Sequence, residues 1–235
     1  MNWTEHYQKA FALSYDDGVY QDIRLVALLN RYGLKATFNL NSALMNDPSS
    51  VWYAEGVRVA RMPPDGLQTL YQGHEIASHM TRHQNPTEMD EQALLRDIAA
   101  DKAALEALSG REVTGFAYPF GASDDRVKEA LRRCGIRYAR GVQSTHRFDP
   151  PDDLLDIAPT CRHKEEEIFA LAARFLAMKP DMPQIFLLWG HSYEFDMQQG
   201  WERFERFCET VAGQSDVFYG TCEDVFAPFF ASQNA

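Results

Sequence analysis

The sequence predicts an α/β protein with a parallel sheet or barrel, and two observations carry that reading. Apolar runs of strand length alternate with segments of helical periodicity along most of the chain, the order that successive βα units produce. No stretch rich in Pro, Gly or Ser divides the 235 residues, which suits one domain, since α/β barrels reach about 250 residues. A hydrophobic share of 45% is enough for a sizeable core.

The first strand is the run Ala10-Phe11-Ala12-Leu13, and it leads into Ser14-Tyr15-Asp16-Asp17-Gly18. Neighbouring carboxylates repel and are costly to desolvate together, so a buried pair needs a metal ion or a shared proton. The same five residues also suit a solvated turn. Asp22 to Tyr32 places Ile23, Val26, Ala27 and Leu29 on one helical face that Gly33 ends, and Lys35 to Leu40 is the next strand. Residues 42–64 are irregular; Trp52 to Val59 predicts a hairpin turning at Glu55-Gly56, inside an insertion near the site or at an interface. A short helix, Asp65 to Gln72, precedes the strand His74 to Ser78, which runs into His79.

Thr87 with Asp90 resembles a capping box for a helix on which Leu94, Leu95, Ile98, Leu105 and Leu108 recur and which Gly110 closes. The pattern continues with strand Val113 to Tyr118, helix Asp124 to Cys134 and strand Ile136 to Ala139. A weaker strand, Leu154 to Ala158, precedes helix Glu165 to Met178 and the strongly apolar strand Gln184 to Trp189. Helix Trp201 to Ala212, strand Asp216 to Tyr219 and a helical stretch from Glu223 to Phe230 complete the chain.

Composition excludes several roles. A net charge of −11 argues against nucleic acid or an anionic membrane surface as partner and favours a neutral or cationic substrate. No apolar run reaches the length of a membrane span. The first residues lack the basic start and apolar stretch of a signal peptide, so a cytoplasmic location is expected. Cys134, Cys161, Cys208 and Cys222 have neither C-x-x-C spacing nor a zinc-site pattern, and are expected to be reduced thiols.

In a parallel α/β architecture functional residues collect where strands end. Four predicted strand ends deliver reactive residue types: Asp16 and Asp17; His79 and His83; Pro119-Phe120-Gly121; and His191. His79 and His83 are four apart, a separation that lets two imidazoles converge on one ion, although isolated pairs of this kind are also common on surfaces. With one carboxylate they form the open three-ligand site of metals that activate water. The ligand types fit zinc and do not separate it from iron, cobalt or nickel.

These motifs resemble, in order, those of the polysaccharide deacetylase family, carbohydrate esterase family 4. Ser14-Tyr15-Asp16-Asp17-Gly18 matches its Thr-Phe-Asp-Asp-Gly, and His79-Met80-Thr81-Arg82-His83 matches its His-Ser/Thr-x-x-His, with Met80 where the family has a loop-steadying hydroxyl. Leu187-Leu188-Trp189-Gly190-His191 matches Leu-x-Leu-x-His. The resemblance implies a distorted (β/α)7-type barrel with Asp16 as general base, Asp17, His79 and His83 as metal ligands, and His191 as general acid. It also implies substrate contacts from Tyr118, Phe120, Leu187 and Trp189, the last equally suited to core packing. The family's third motif, Arg-x-Pro-aromatic, has Ala117 in the arginine's place, which leaves Arg140 and Arg162 as candidates to orient the base. The fourth, an acid before an aromatic, is only suggested by Asp156.

The expected activity is metal-dependent removal of an acetyl or similar small acyl group from the nitrogen of an amino sugar, oligosaccharide or sugar conjugate. The alternatives are an amidase acting on a small cyclic amide and a sugar-binding relative without turnover. The oligomeric state is left open, a homo-oligomer included.

Overall fold

β1 (Lys9–Asp16) is buried from end to end, as a strand covered on both faces must be. The computed structural model describes residues 2–45, 47–197 and 199–233. After β1 come α1 (Asp22–Arg31), β2 (Ala36–Leu40), the hairpin β3 (Trp52–Ala54) and β4 (Val57–Val59), α2 (Leu67–Leu70), β5 (Glu75–Ser78) and α3 (Glu91–Ser109). β6 (Gly115–Ala117), α4 (Asp125–Arg133), β7 (Tyr138–Arg140), β8 (Cys161–Arg162) and α5 (Ile168–Ala177) follow. The chain ends with β9 (Gln184–Gly190), α6 (Glu194–Met197), α7 (Trp201–Val211), β10 (Phe218–Tyr219) and α8 (Cys222–Phe226).

The main sheet is parallel and runs β7-β6-β5-β2-β1-β9-β8, with β10 pairing the start of β1. The segment from Leu154 to Arg162 draws its two ends together. Ala139 N–H donates to Leu154 O at 2.8 Å and Gly141 N–H to Ile157 O at 2.9 Å on the β7 side, and Thr160 N–H donates to Leu187 O at 2.9 Å on the β9 side. The result is the distorted (β/α)7 barrel expected from the motifs.

Period-two alternation sorts the side chains into layers. Ala10 and Ala12 pack inside the barrel with Tyr138, Ile185 and Leu187. Phe11, Leu13 and Tyr15 face the other way, joining Phe38, Phe186 and Leu188 under the helices. A third cluster sets Leu94, Ile98, Val127 and Leu131 of α3 and α4 against Phe116 and Tyr118.

The hairpin turns at Glu55 and Gly56, with φ 46° and 84°, the left-handed pair that a two-residue type I′ turn requires. Two local expectations need correction. Thr87 belongs to a separate turn capped by Asn85, whose side chain accepts from Thr87 N–H, and Asp90 caps α3 itself by accepting from Ala93 N–H at 2.8 Å. Leu154 to Ala158 is not a full strand: Ile157 makes one bridge to Arg140, and the strand beside β9 begins only at Cys161. Pro159, without an N–H, interrupts any ladder between them. Among the described residues no helix is long and apolar enough to cross a membrane.

Candidate active site

The C-terminal ends of β1, β5, β6 and β9 surround a cavity of about 630 Å³ lined by Asp16, Asp17, His79, His83, Tyr118, Phe120, Arg162, Trp189 and His191. Nine of the eleven side chains singled out from the sequence therefore meet in one place. Arg140 lies just beneath, and Leu187 belongs elsewhere.

Asp16 is the last residue of β1 and is buried. Burial alone would raise its pKa, but the charges of Arg140, His79 and His191 outweigh that and bring it to about 2. Arg140 Nη2 donates to Asp16 Oδ1, and Asn39 Nδ2 donates to the same oxygen at 2.8 Å. The Arg140 Nε–H reaches Ser14 Oγ at 3.1 Å. In the β6–β7 pairing Arg140 is the register partner of Ala117. The sequence leaves open which arginine meets Asp16, and the structure brings Arg140 there.

Asp17 turns the chain out of the strand with φ 83°, followed by Gly18 at 64°. The left-handed φ favours glycine at position 18, and a Cβ there would also push the tip of the Leu40 side chain, 2.7 Å away. The donor atoms of Asp17, His79 and His83 lie within 4.8 Å of one another. The ring Nδ1 of His79 is 2.7 Å from Ala117 O; a carbonyl only accepts, so Nδ1 carries the proton and Nε2 keeps its lone pair. Burial pushes the pKa of His79 down to about 4 and that of His83 below its ordinary value. Asp17, which burial would raise, is held below the usual carboxylate range by His191, Arg61 and the two histidines. Two neutral imidazoles and an ionised carboxylate are the states a divalent cation needs, so the residues fit one.

The ligand loop is restrained without a hydroxyl at position 80. Met80 is fully buried against Leu94 and Phe116. Asn41 Nδ2 donates to the carbonyls of His79 and Met80 at 2.5 and 3.0 Å, and Thr81 N–H donates to Asp97 at 3.0 Å.

His191 faces Asp17 with its Nε2 3.9 Å from Oδ2, while its Nδ1 lies 3.5 Å from Glu194 Oε2. Burial would lower its pKa, yet Glu194, Asp17 and Asp16 together raise it above the ordinary histidine value. Glu194 also receives Arg162 at 2.5 Å, Lys164 at 3.2 Å and His163 at 3.3 Å. Although burial would raise its pKa, the close approach of His163 and His191 holds it far below the usual range. Arg162 thus serves the His191 side and not Asp16. Gly190 is required between Trp189 and His191, because a Cβ there would lie 2.2 Å from the His163 ring.

The remaining expectations divide. Phe120 is 68% exposed at the cavity mouth with φ 60°, its ring edge-on to His83 at 4.6 Å. Tyr118 lines the cavity, but its hydroxyl donates to Leu155 O at 2.6 Å. Trp189 packs its indole 4.9 Å from the Arg140 guanidinium carbon and 4.7 Å from that of Arg162. Leu187 is two residues below Trp189 on β9, buried in the barrel interior with Ile185, and does not line the cavity. Asp156 is on the surface beside Lys128. Arg61, Trp52, Tyr193 and Glu194 were not singled out from the sequence. Glu194-Phe195 is an acid before an aromatic, but it follows His191, and Arg61 comes from the irregular segment.

The sequence profile described as polysaccharide deacetylase matches residues 4–139. A curated relative, gellan lyase of Bacillus sp, is 27% identical over 128 residues, which are 53% of this chain but only 4% of that protein. Among solved structures, a putative polysaccharide deacetylase from Mycobacterium smegmatis superposes with a TM-score of 0.70 at 15% identity, covering 100% of this chain and 94% of that one. The family 4 carbohydrate esterase of Streptomyces lividans gives 0.57 at 15% identity over 91% and 93%. The Xyl-CE4 domain of a xylanase from the hindgut metagenome of Trinervitermes trinervoides gives 0.55 at 21% over 94% and 90%. The profile covers more than half of the chain, and the shared fold agrees with it: this chain belongs to the polysaccharide deacetylase family.

Proposed function

We propose that this chain is a metal-dependent hydrolase that removes an acetyl or similar small acyl group from the nitrogen of an amino sugar, oligosaccharide or sugar conjugate. The observation that carries the reading is the convergence on one cavity of a paired carboxylate, a two-His, one-Asp donor set and a histidine backed by a carboxylate. Asp17, His79 and His83 would hold the ion, for which zinc is the best match to the donor set. When bound, a divalent ion there supplies Lewis acidity that polarises an acyl carbonyl and acidifies water.

The chain's own residues supply the rest. Asp16, ionised and held on one oxygen by Arg140 and Asn39, is placed to take a proton from the attacking water. His191, whose pKa Glu194 and the two aspartates raise, is suited to protonate the departing nitrogen, without which an amide leaves poorly. The Gly121 and Ala122 amides are used within their own turn, and the Phe120 amide is our candidate donor to the developing oxyanion. Trp52, Phe120 and Tyr193 give the cavity aromatic surfaces of the kind that suit a sugar ring.

The test is acetate release from acetylated amino sugars and their oligomers by zinc-loaded protein, compared with Asp16→Asn. We expect the variant to retain zinc and lose turnover. Undiminished acetate release by the variant would overturn the assignment.

A further inference from the structure

The irregular segment 42–64 ends in a pairing that reaches the ligands. Residues 60–62 run beside residues 18–20: Val19 bridges Arg61 in antiparallel sense, Tyr20 N–H donates to Ala60 O at 3.1 Å, and Met62 N–H donates to Gly18 O at 2.9 Å. This backbone contact lays Arg61 on Asp17, the Nη2 donating to Oδ1 at 2.7 Å. The Nε–H of the same guanidinium donates to Asn41 Oδ1 at 3.0 Å. Asn41 in turn donates to the carbonyls of His79 and Met80. One side chain therefore links Asp17 to the loop that carries both histidines.

The link is built rather than incidental. The side chains of Arg61 and Asp17 are only 8% and 7% exposed, and the Trp52 indole of the hairpin lies 4.9 Å from the guanidinium carbon. Trp52 is braced edge-on by Tyr193 at 5.6 Å.

We propose that Arg61 is a positioning residue of the metal site and that segment 42–64 serves to deliver it. This rests on the reading of Asp17, His79 and His83 as ligands. With one oxygen engaged by Arg61, Asp17 is fixed in a single orientation and offers the other oxygen to the ion. The planar fork bonds Asp17 and Asn41 together, which an ammonium on a flexible stem reproduces poorly. Partners that orient metal ligands are typically worth about 10- to 100-fold in affinity. An arginine also carries a charge that repels a divalent cation, so a neutral replacement would mix two opposing effects. Arg61→Lys keeps the charge and removes the fork, and its effect reports on positioning.

The experiment is zinc affinity by competition with a chromophoric chelator, on full-length wild type, Arg61→Lys, Trp52→Leu and His79→Ala. We expect Arg61→Lys to bind zinc about 10- to 100-fold more weakly than wild type. Trp52→Leu, which leaves the hydrogen-bonding groups of Arg61, Asp17 and Asn41 in place, is expected to weaken binding by a smaller factor and carries the test if the lysine variant fails to fold. Wild-type affinity in both would overturn the Arg61 assignment alone, provided that His79→Ala loses zinc. If His79→Ala binds zinc as wild type does, the reading of the ligands fails and the Arg61 assignment falls with it.

Discussion

Arg140 bonds Asp16 from the far side of the barrel. Its strand, β7, is separated from β1 by β6, β5 and β2 along the hydrogen-bonded path, so the guanidinium reaches the carboxylate through the interior. Ala117, its register partner on β6, has a side chain short enough to leave that space open. Where the motif resemblance leads one to expect an arginine, position 117 holds Ala117, and the guanidinium that meets Asp16 comes from the neighbouring strand.

Removing Arg140 should therefore be expensive in both stability and rate. Asp16 has a depressed folded-state pKa, so its pairing stabilises the fold above its ordinary value of 3.8, and that contribution fades as pH falls toward about 2. At neutral pH, Arg140→Met leaves a buried carboxylate without its cation, which costs about 3–5 kcal/mol by precedent for broken buried pairs. Urea denaturation at pH 7 measures the loss, and acetate release should fall with it. A variant as stable as wild type would mean that Asn39 alone satisfies Asp16.

The pair of Glu194 with His191 makes a separate prediction. Glu194 is held by Arg162, Lys164 and His163, so the amide of Glu194→Gln should stay in place while losing the charge that raises the His191 pKa. General-acid catalysis is worth about 10²–10⁴-fold, and losing the supporting charge should lower kcat by about 10-fold or more, with KM changing less. Equal kcat in the two proteins would mean that the Glu194 charge does not support His191 in catalysis.

The local grammar of the chain made the barrel and most of the site legible. Apolar runs stopping at Asp16, Ser78 and Gly190 mark strand ends, and in this architecture strand ends share one face. What could not be read were contacts set by closure of the barrel. Nothing near Ala117 indicates that Arg140 crosses the interior, because that contact depends on which strands lie opposite. Arg61 stayed hidden because its segment has no periodicity and is placed by a short antiparallel bridge to residues 18–20. Leu187 was misplaced by motif matching: the two-residue alternation of β9 puts it inside the barrel like Trp189, but one layer deeper.

The barrel interior also holds a carboxylate that the chemistry does not use, and it sets a pH dependence of stability. Glu75 on β5 accepts hydrogen bonds from Thr37 and Tyr138, each at 2.6 Å, and from Glu223 N–H at 3.0 Å. Burial outweighs these bonds and pushes its pKa from 4.5 up to about 7. Because the folded-state value is raised, the folded chain keeps a proton that the unfolded chain has released between these limits, and the contribution of Glu75 to stability falls as pH rises through that window. A shift of this size corresponds to about 3 kcal/mol. Asp22, buried under Tyr71 and Ser192 and likewise raised to about 7 by burial, adds a similar slope. In Glu75→Gln the amide can still accept from Thr37 and Glu223 through its oxygen and donate to the Tyr138 hydroxyl, so the fold should survive. The change in unfolding free energy between pH 5 and pH 7.5, measured in urea, should then lack the fall that Glu75 contributes in wild type, while Asp22 and the buried His74, His79 and His163, whose lowered pKa values of about 4 give the opposite slope, act alike in both proteins. An unchanged difference would mean that Glu75 is already ionised in the folded protein at pH 5, with its three donors outweighing the cost of burial.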